Sequence, residues 1–348
     1  MLLQQNTTQD PDGSKHNHQQ TNCSYQELPA AVDNFKLFMY CSVLLCSLCG
    51  NIFIIIIVYK HKDLHKTVNY FIVNMALSDL VFPLAWLPVQ IVGNANGSIS
   101  EYWHVGGIFG SITCKFIYFV AHVSVHVSSQ SFVWIAIDRF VAFLFPVRLG
   151  LISRKIRFIA IASTWSLAAA FNFTFLLGQD LHIEVNHTFC KRTAFISISG
   201  QKDFAIYDWF QSIFFYFVPL CLTTLLYTAI TAALRKQSKA LANSGPNIQR
   251  NVFEKRKRAI RLSVVTMVTY FLSVSPAMIV RLHLNKVLPL SCTMFEVLMI
   301  TGEICYYLST TINPFIFLSF VQSYRRGLSN ILSLCFWKRR NETANKGK

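Results

Sequence analysis

Residues 35–59, FKLFMYCSVLLCSLCGNIFIIIIVY, decide the fold class of this chain. The segment carries a single charged residue, Lys36, and exceeds the roughly 20 apolar residues that a helix needs to cross a bilayer. Further mostly apolar runs lie at 69–93, 111–144, 155–178, 204–234, 259–284 and 292–318. The sequence therefore predicts an all-α membrane protein whose residues 35–318 form a seven-transmembrane helix bundle.

The composition supports a membrane protein and argues against other classes. Of the 348 residues, 53% are hydrophobic and only 14% are charged, which is too apolar for a soluble domain. The net charge of +16 comes from short Lys and Arg segments between apolar runs, so no basic face for nucleic acid is predicted. Residues 1–30 lack the apolar core of a signal peptide, and we expect the first span to direct insertion.

Charge asymmetry predicts the orientation of the bundle. Basic residues concentrate between spans one and two, three and four, five and six, and after span seven, which places these segments in the cytoplasm. The sequons at Asn6, Asn22, Asn96 and Asn186 then lie outside and are predicted to be glycosylated. We expect a plasma-membrane protein with a disordered, glycosylated extracellular segment at 1–34 and a cytoplasmic tail at 336–348.

Two of the ten cysteines are candidates for a disulfide bond. Cys114 stands at the outer start of span three, and Cys190 stands in the long outer segment after span four. An oxidising compartment favours a bond between them, with two free thiols as the alternative. The cysteines inside apolar runs, by contrast, are expected to be small buried hydrophobes; they are Cys41, Cys46, Cys49, Cys221 and Cys305.

Ionisable residues within a span are costly and are therefore functional candidates. Asp79 in span two shares its predicted depth with Ser128 in span three and Asn313 in span seven. A carboxylate with two oxygen-bearing neighbours suits an allosteric sodium ion, the single cofactor that the sequence suggests. The alternative is a protonated Asp79 hydrogen-bonded to Asn313.

A second polar group, Asp138-Arg139-Phe140, stands at the inner end of span three. With Tyr227 and Arg256 available from spans five and six, this group is a candidate two-state switch. Prolines inside the spans, such as Pro219, Pro276 and Pro314, each remove a backbone hydrogen bond and supply hinges.

Residues 319–335 are predicted to form a short amphipathic eighth helix at the membrane surface. Leu and Phe residues occupy one face of this segment, and Arg325 and Arg326 occupy another. Cys335 at its end is a candidate for palmitoylation, with an unmodified thiol as the alternative.

From about residue 40 to 335, the order of motifs resembles the rhodopsin-like G-protein-coupled receptor family. The matching positions are Gly50-Asn51, Leu77 to Asp79, Trp103, Cys114, Asp138-Arg139-Phe140, Trp165, Pro219, Tyr227 and Asn313-Pro314-x-x-Phe317. The resemblance implies a receptor that an extracellular ligand activates and that signals to a heterotrimeric G protein. It assigns the switch to Asp138, Arg139, Tyr227, Pro276, Pro314 and Phe317, with arrestin as a further candidate partner and membrane lipids around it.

The chain departs from the family pattern at two switch positions. Span six reads Ser273-Val274-Ser275-Pro276, without the aromatic residue of the family's CWxP motif, and Tyr270 or Phe271 could substitute. Phe317 replaces the tyrosine of NPxxY and lacks its hydroxyl. We therefore expect altered energetics of activation.

Residues in the outer halves of the spans indicate the class of ligand. Ala121 stands where amine receptors keep an Asp, and Tyr307 stands where an opsin holds its retinal lysine. The polar set resembles the pockets of peptide receptors and comprises Gln90, His122, Asp208, Gln211, Arg281, Glu303 and Tyr307. The stretches LAWLPVQIV, WHVGG and AHVSVHVSSQSF resemble neuropeptide receptors of the RFamide, neuropeptide Y and tachykinin-like groups. Arg281 and Glu303 could also simply pair with each other.

Other classes of function remain as alternatives. A transporter would be expected to show internal repeats, and none relates the two halves of the chain. A membrane enzyme would need clustered catalytic residues, whereas the loop histidines are scattered, so no enzyme is predicted. An amine or lipid receptor, and a non-signalling receptor-like scavenger, stay open beside the peptide receptor.

Overall fold

The computed structural model describes residues 30–95, 103–145, 152–184, 187–191, 206–244, 247–284, 288 and 290–333. The first four long helices are α1 (Ala30–Lys60), α2 (Thr67–Ala95), α3 (Gly107–Leu144) and α4 (Arg154–Gly178). A hairpin of β1 (Asp180–Glu184) and β2 (His187–Lys191) follows. Helix α5 begins at Ile206, passes through a π-helical turn at Ile213–Phe217 and continues as Val218–Ser244. The last helices are α6 (Asn247–Leu284), α7 (Cys292–Phe320) and α8 (Gln322–Ser333).

Helices α1 to α6 are each long and apolar enough to cross a membrane. Helix α7 meets the same criterion together with α8, and the two helices are bent by 90° at the break between them. The prediction of a seven-helix bundle with a short eighth helix is thus confirmed. Helix α1 begins at Ala30 rather than at residue 35, and α6 begins at Asn247 rather than at 259, because a search for apolar runs misses polar helix ends.

Helix α8 is amphipathic, as its sequence indicated. Tyr324 and Ile331 are buried against the bundle, whereas Arg325 and Arg326 are exposed. The palmitoylation candidate Cys335 and the four predicted glycosylation sites, Asn6, Asn22, Asn96 and Asn186, lie outside the described residues.

The intramembrane cysteines correct one prediction. Cys46, Cys49 and Cys221 are exposed on the surface of the bundle, and Cys41 and Cys305 are half-buried. The prediction of buried thiols was wrong for the first three because a lipid-facing surface is as apolar as the interior, so hydrophobicity does not show which way a residue faces.

Prolines inside the helices determine how several helices pack. A proline lacks an N–H group and leaves the carbonyl four residues earlier without its helical partner. Ser47 Oγ of α1 donates to the Asp79 carbonyl (3.1 Å), which Pro83 leaves open. Asn51 Nδ2 donates to the Thr310 carbonyl (3.1 Å), which Pro314 leaves open. Helix α1 is therefore bound to α2 and α7 at their weakest backbone positions.

The third such carbonyl lies in α5. Pro219 leaves the Phe215 carbonyl open, and Ser129 Oγ of α3 donates to it at 2.6 Å. The close packing of α1 on α7 also needs Gly50, because a Cβ at this position would lie 2.9 Å from Pro314 Cβ.

We call the end of the bundle that contains Cys114 the disulfide end, and the opposite end the Arg139 end.

We predict that Asn51→Ala destabilises the bundle, because the buried Thr310 carbonyl then loses the hydrogen bond from Asn51 Nδ2. The expected loss is about 1 to 3 kcal/mol, measured as a lower midpoint of thermal unfolding in detergent. Thr228→Ala is the control, since the hydroxyl of the exposed Thr228 donates to the Thr224 carbonyl of its own helix turn. Equal midpoints for the two variants would contradict the proposed role of Asn51.

Candidate functional site

A disulfide bond and the hairpin define one end of the bundle. Cys114 of α3 is bonded to Cys190 of β2, as predicted. Ser111 Oγ donates to Asp180 Oδ1 (3.2 Å), and the Trp103 N–H donates to the Thr188 carbonyl (2.6 Å). The hairpin is thus fixed to the start of α3 by a covalent bond and by hydrogen bonds. Cys292, the first residue of α7, is also disulfide-bonded, and its partner lies outside the described residues.

Glu303 of α7 is the centre of a polar cluster toward this end. Its Oε1 accepts hydrogen bonds from the hydroxyls of Tyr40 and Tyr307, each at 2.9 Å. Its Oε2 lies 3.6 Å from Lys36 Nζ. Trp86 Nε1 in turn donates to the Tyr307 hydroxyl at 2.7 Å. Residues from α1 and α7 therefore contact the Glu303 carboxylate directly, and Trp86 of α2 is connected to it through Tyr307. Lys36, Tyr40 and Trp86 were not in the predicted set.

Arg281 of α6 does not pair with Glu303. Its Nη1 lies 3.4 Å from Asp208 Oδ1 of α5 and 3.3 Å from Ser212 Oγ. The alternative that Arg281 pairs with Glu303 is therefore wrong, because Glu303 lies against α1 and α2 while Arg281 lies against α5. The result is two separate ion pairs, one between α1 and α7 and one between α5 and α6.

A buried polar network joins α3, α4 and α5. Asn172 Nδ2 contacts His126 Nδ1 at 2.7 Å, and Gln211 Nε2 donates to Asn172 Oδ1 at 3.0 Å. Gln211 Nε2 also donates to the Tyr207 hydroxyl (2.8 Å), which bonds to the Phe171 carbonyl. Gln211 was predicted as a site residue. Asn172 and His126 were not in the predicted set, although a polar residue inside an apolar span is the signal that could have revealed them.

The other predicted pocket residues lie around these groups. His122 stacks on Phe175 with ring centroids 4.1 Å apart, and its Nδ1 contacts the Tyr118 carbonyl at 2.8 Å. Gln90 is buried in α2 and hydrogen-bonds to neither ion pair. The predicted set thus divides between the two sides of the bundle.

The structure brings together the three predicted sodium ligands. Asp79 Oδ1 accepts from Ser128 Oγ (2.6 Å), and Asp79 Oδ2 accepts from Asn313 Nδ2 (3.1 Å). All three side chains are buried, and Asn313 Oδ1 has no hydrogen-bond partner among the described residues. A carboxylate, a hydroxyl and an unused amide oxygen are the donor types that suit a small hard cation.

At the Arg139 end, the predicted switch residues surround one guanidinium. Arg139 Nε is buried without a hydrogen-bond partner in the described part of the chain. Asp138 and Tyr227 lie within electrostatic range of Arg139. The side chain of Arg256 is exposed, so it is not part of this group. Phe317 is buried and packs on Tyr324 of α8.

The family model described as "7 transmembrane receptor (rhodopsin family)" matches residues 50–317. This match covers most of the chain and includes Asp79, Arg139 and Pro314. The chain belongs to the rhodopsin family of seven-transmembrane receptors. It is therefore a multi-pass membrane protein, and its family is one of receptors rather than enzymes.

The chain is similar to several members of this family. It is 25% identical to neuropeptide FF receptor 2 of Mus musculus over 324 residues, which cover 88% of this chain and 74% of the relative. It is 24% identical to neuromedin-U receptor 2 of Rattus norvegicus over 310 residues, covering 86% and 75%. It is 25% identical to a QRFP-like peptide receptor of Branchiostoma floridae over 249 residues, covering 70% and 63%.

Around Pro276 of α6, this rhodopsin-family receptor has other residues in place of the aromatic side chain of the CWxP motif. Val274 is buried where the CWxP motif has its aromatic residue. One turn earlier, the Tyr270 ring packs on Phe132 of α3 with centroids 4.7 Å apart. Ser275, directly before Pro276, hydrogen-bonds to the Tyr216 hydroxyl of α5 at 2.7 Å. Tyr270 thus lies where a substitute was expected, and its role in signalling remains a prediction.

We predict that Arg281→Met destabilises the receptor by about 1 to 3 kcal/mol, because the largely buried Asp208 carboxylate then loses its ion pair with Arg281. The double variant Asp208→Asn/Arg281→Met should recover part of this loss, since it also removes the buried negative charge. Thermal unfolding of the purified receptor measures both effects.

The matched control is Lys257→Met, which breaks the exposed Lys257–Glu254 pair (3.4 Å) and should change stability by less than about 0.5 kcal/mol. Additive losses from Asp208→Asn and Arg281→Met would show that the two side chains are not coupled.

Proposed function

We propose that this protein is a plasma-membrane receptor that binds an extracellular peptide at its disulfide end and activates a heterotrimeric G protein at its Arg139 end. The proposal rests on the two separate ion pairs at the disulfide end, Lys36–Glu303 and Arg281–Asp208. Membership of the rhodopsin family supports the receptor activity, and the relatives named above carry neuropeptide names.

The orientation follows from charge. Lys and Arg residues are frequent in the segments that join the helices at the Arg139 end, and the sequons at Asn6, Asn22, Asn96 and Asn186 belong to segments of the other end. The positive-inside rule therefore supports a cytoplasmic Arg139 end and an extracellular, glycosylated amino terminus.

The charges of the disulfide end favour a peptide over the alternative ligands. Glu303 pairs with Lys36 and Asp208 pairs with Arg281, so the site offers charges of both signs on two sides of the bundle. A peptide presents both signs together with backbone amides, whereas a small amine presents one cation. Ala121, buried in α3, offers such an amine no carboxylate. A lipid tail would leave the paired charges unused.

Binding would act on the Arg139 end through the helices that bear the ion pairs. A ligand that contacts Asp208 and Arg281 more favourably in one conformer shifts α5 and α6 toward that conformer. Parting of α5 and α6 would expose Arg139 to a helix of the G protein.

The start of α6 forms the edge of that surface. A cavity of 510 Å³ there is lined by Asn251, Glu254, Lys255, Lys257, Arg258 and Arg261. Its excess of cations suits acidic lipid headgroups and acidic segments of the G protein, and arrestin is a further partner that we propose for this face.

The test expresses the receptor in cells with G-protein dissociation reporters and applies amidated neuropeptides, amines and lipids. We expect a peptide response that Asp208→Ala and Glu303→Ala each weaken at least tenfold in potency at equal surface expression. Asp63→Ala is the control, because it removes an exposed carboxylate that belongs to neither ion pair and does not line the cavity at the start of α6. A response to an amine that survives both pocket variants would refute the peptide ligand. Peptide binding without any G-protein response would support the scavenger.

We further propose that Asp79, Ser128 and Asn313 hold an allosteric sodium ion. Both carboxylate oxygens of Asp79 accept hydrogen bonds, as an ionised carboxylate would, and Asn313 Oδ1 remains available as a ligand. The bound cation would balance the buried charge and favour the conformer in which α2, α3 and α7 stay close.

We predict that NaCl raises the thermal unfolding midpoint relative to choline chloride at equal ionic strength. A tenfold excess of sodium over its dissociation constant stabilises the protein by about 1.4 kcal/mol. The substitution Asp79→Asn should abolish the difference between the two salts. Equal midpoints for the unsubstituted receptor would instead support a protonated Asp79.

A further inference from the structure

Two aromatic rings join α7 to α8 at the Arg139 end. Phe317 and Tyr324 are both buried, and their ring centroids are 5.9 Å apart at an interplanar angle of 36°. Of these two rings, only Tyr324 carries a hydroxyl. Because α8 turns away from α7 by 90°, the side chain of Tyr324 points back into the bundle while its helix lies across the end.

The Tyr324 hydroxyl donates to Asn69 Oδ1 of α2 at 3.2 Å. Asn69 is itself held in place, because its Nδ2 donates to the Leu64 carbonyl at 2.6 Å. This second bond fixes the orientation of the amide and leaves Oδ1 to face Tyr324. The result is a buried side-chain hydrogen bond between α8 and α2.

Helix α8 also packs closely on α1 at this level. A Cβ on Gly327 would lie 2.6 Å from Ile57 Cγ2, so the α8 backbone approaches α1 as closely as glycine permits. Apolar packing on this scale is not directional, whereas the bond from Tyr324 to Asn69 requires one position of α8 along α2.

The conformer that contains this bond is closed around Arg139. Arg139 Nε is buried, and Phe253 and Ile260 of α6 belong to the same buried core as Tyr324. Arg139 also lies within electrostatic range of Tyr324. Tyr324 is therefore in position to link the location of α8 to the residue at the centre of the predicted switch.

We propose that Tyr324 is a positioning residue for signalling, whose hydrogen bond to Asn69 holds α8 against α2 and stabilises the closed conformer. At the NPxxY position Phe317 has no hydroxyl, and the phenol of this aromatic pair belongs to Tyr324 of α8. How readily the Arg139 end opens then depends on the position of α8 as well as on that of α7. The docking of α8 is independent of the ligand, and its effect on signalling rests on the proposed receptor function.

Hydrogen exchange of the full chain in lipid nanodiscs tests the docking directly. We expect Tyr324→Phe, which removes only the hydroxyl, to raise amide exchange of Gln322–Ser333 by roughly three- to tenfold, the effect of one hydrogen bond. Tyr70→Phe is the matched control. Tyr70 lies on the same helix as Asn69, and its ring stacks under Arg157, but its hydroxyl forms no hydrogen bond with the described residues. Unchanged exchange in Tyr324→Phe would overturn the proposal.

Basal G-protein activation tests the consequence. We expect Tyr324→Phe and Asn69→Ala each to raise basal nucleotide exchange by roughly three- to tenfold, and the double variant to add little to either. A loss of folded receptor would lower the signal, so it cannot imitate this result. Faster exchange in α8 without a change in basal activity would confine Tyr324 to a structural role and refute its part in signalling, whatever the ligand proves to be.

Discussion

A backbone carbonyl that loses its helical partner inside a bilayer must find another donor, and the packing of this receptor depends on that requirement. Pro83 and Pro314 each leave one carbonyl open, and Ser47 and Asn51 of α1 supply the two donors. Since both donors lie on neighbouring turns of one helix, α1 fixes α2 relative to α7. The hydrogen bond from Ser47 to the Asp79 carbonyl holds the backbone turn of α2 that also bears the Asp79 carboxylate. The position of this carboxylate at the centre of the bundle is therefore fixed.

The same principle connects the disulfide end to the hinge in α6. Ser129 of α3 satisfies the carbonyl that Pro219 leaves open in α5, and Tyr216 of α5 bonds to Ser275 beside Pro276. Asp208 and Arg281 lie farther along the same two helices and are themselves paired. A displacement of that ion pair therefore acts on α5 and α6 through hydrogen bonds close to their prolines. This polar connection stands where the family's CWxP motif has an aromatic side chain.

Hydrophobicity and motif order were sufficient to predict the spans, the disulfide bond and the grouping of Asp79 with Ser128 and Asn313. The spans and the polar grouping depend on depth along a helix, and the disulfide bond depends on which segments lie at the same end of the bundle; residue spacing specifies both. The pairing of Arg281 with Asp208 depends on the rotation of α5 and α6 about their axes, which spacing alone does not specify. The exposure of Cys46 and Cys221 escaped prediction for a related reason, since lipid and protein interior select the same apolar residues. The contribution of Tyr324 required the bend between α7 and α8.

The π-helical turn at Ile213–Phe217 has a consequence for comparing this receptor with others. One additional residue in a helix turn rotates everything before it by about 100° relative to everything after it. Asp208 and Gln211 precede the turn, whereas Pro219 and Tyr227 follow it. Residue equivalences counted back from Pro219 into a relative without this turn would therefore place the wrong face of α5 toward the bundle. The half of α5 that bears Asp208 and Gln211 can thus change its register while the half that bears Tyr227 keeps its own.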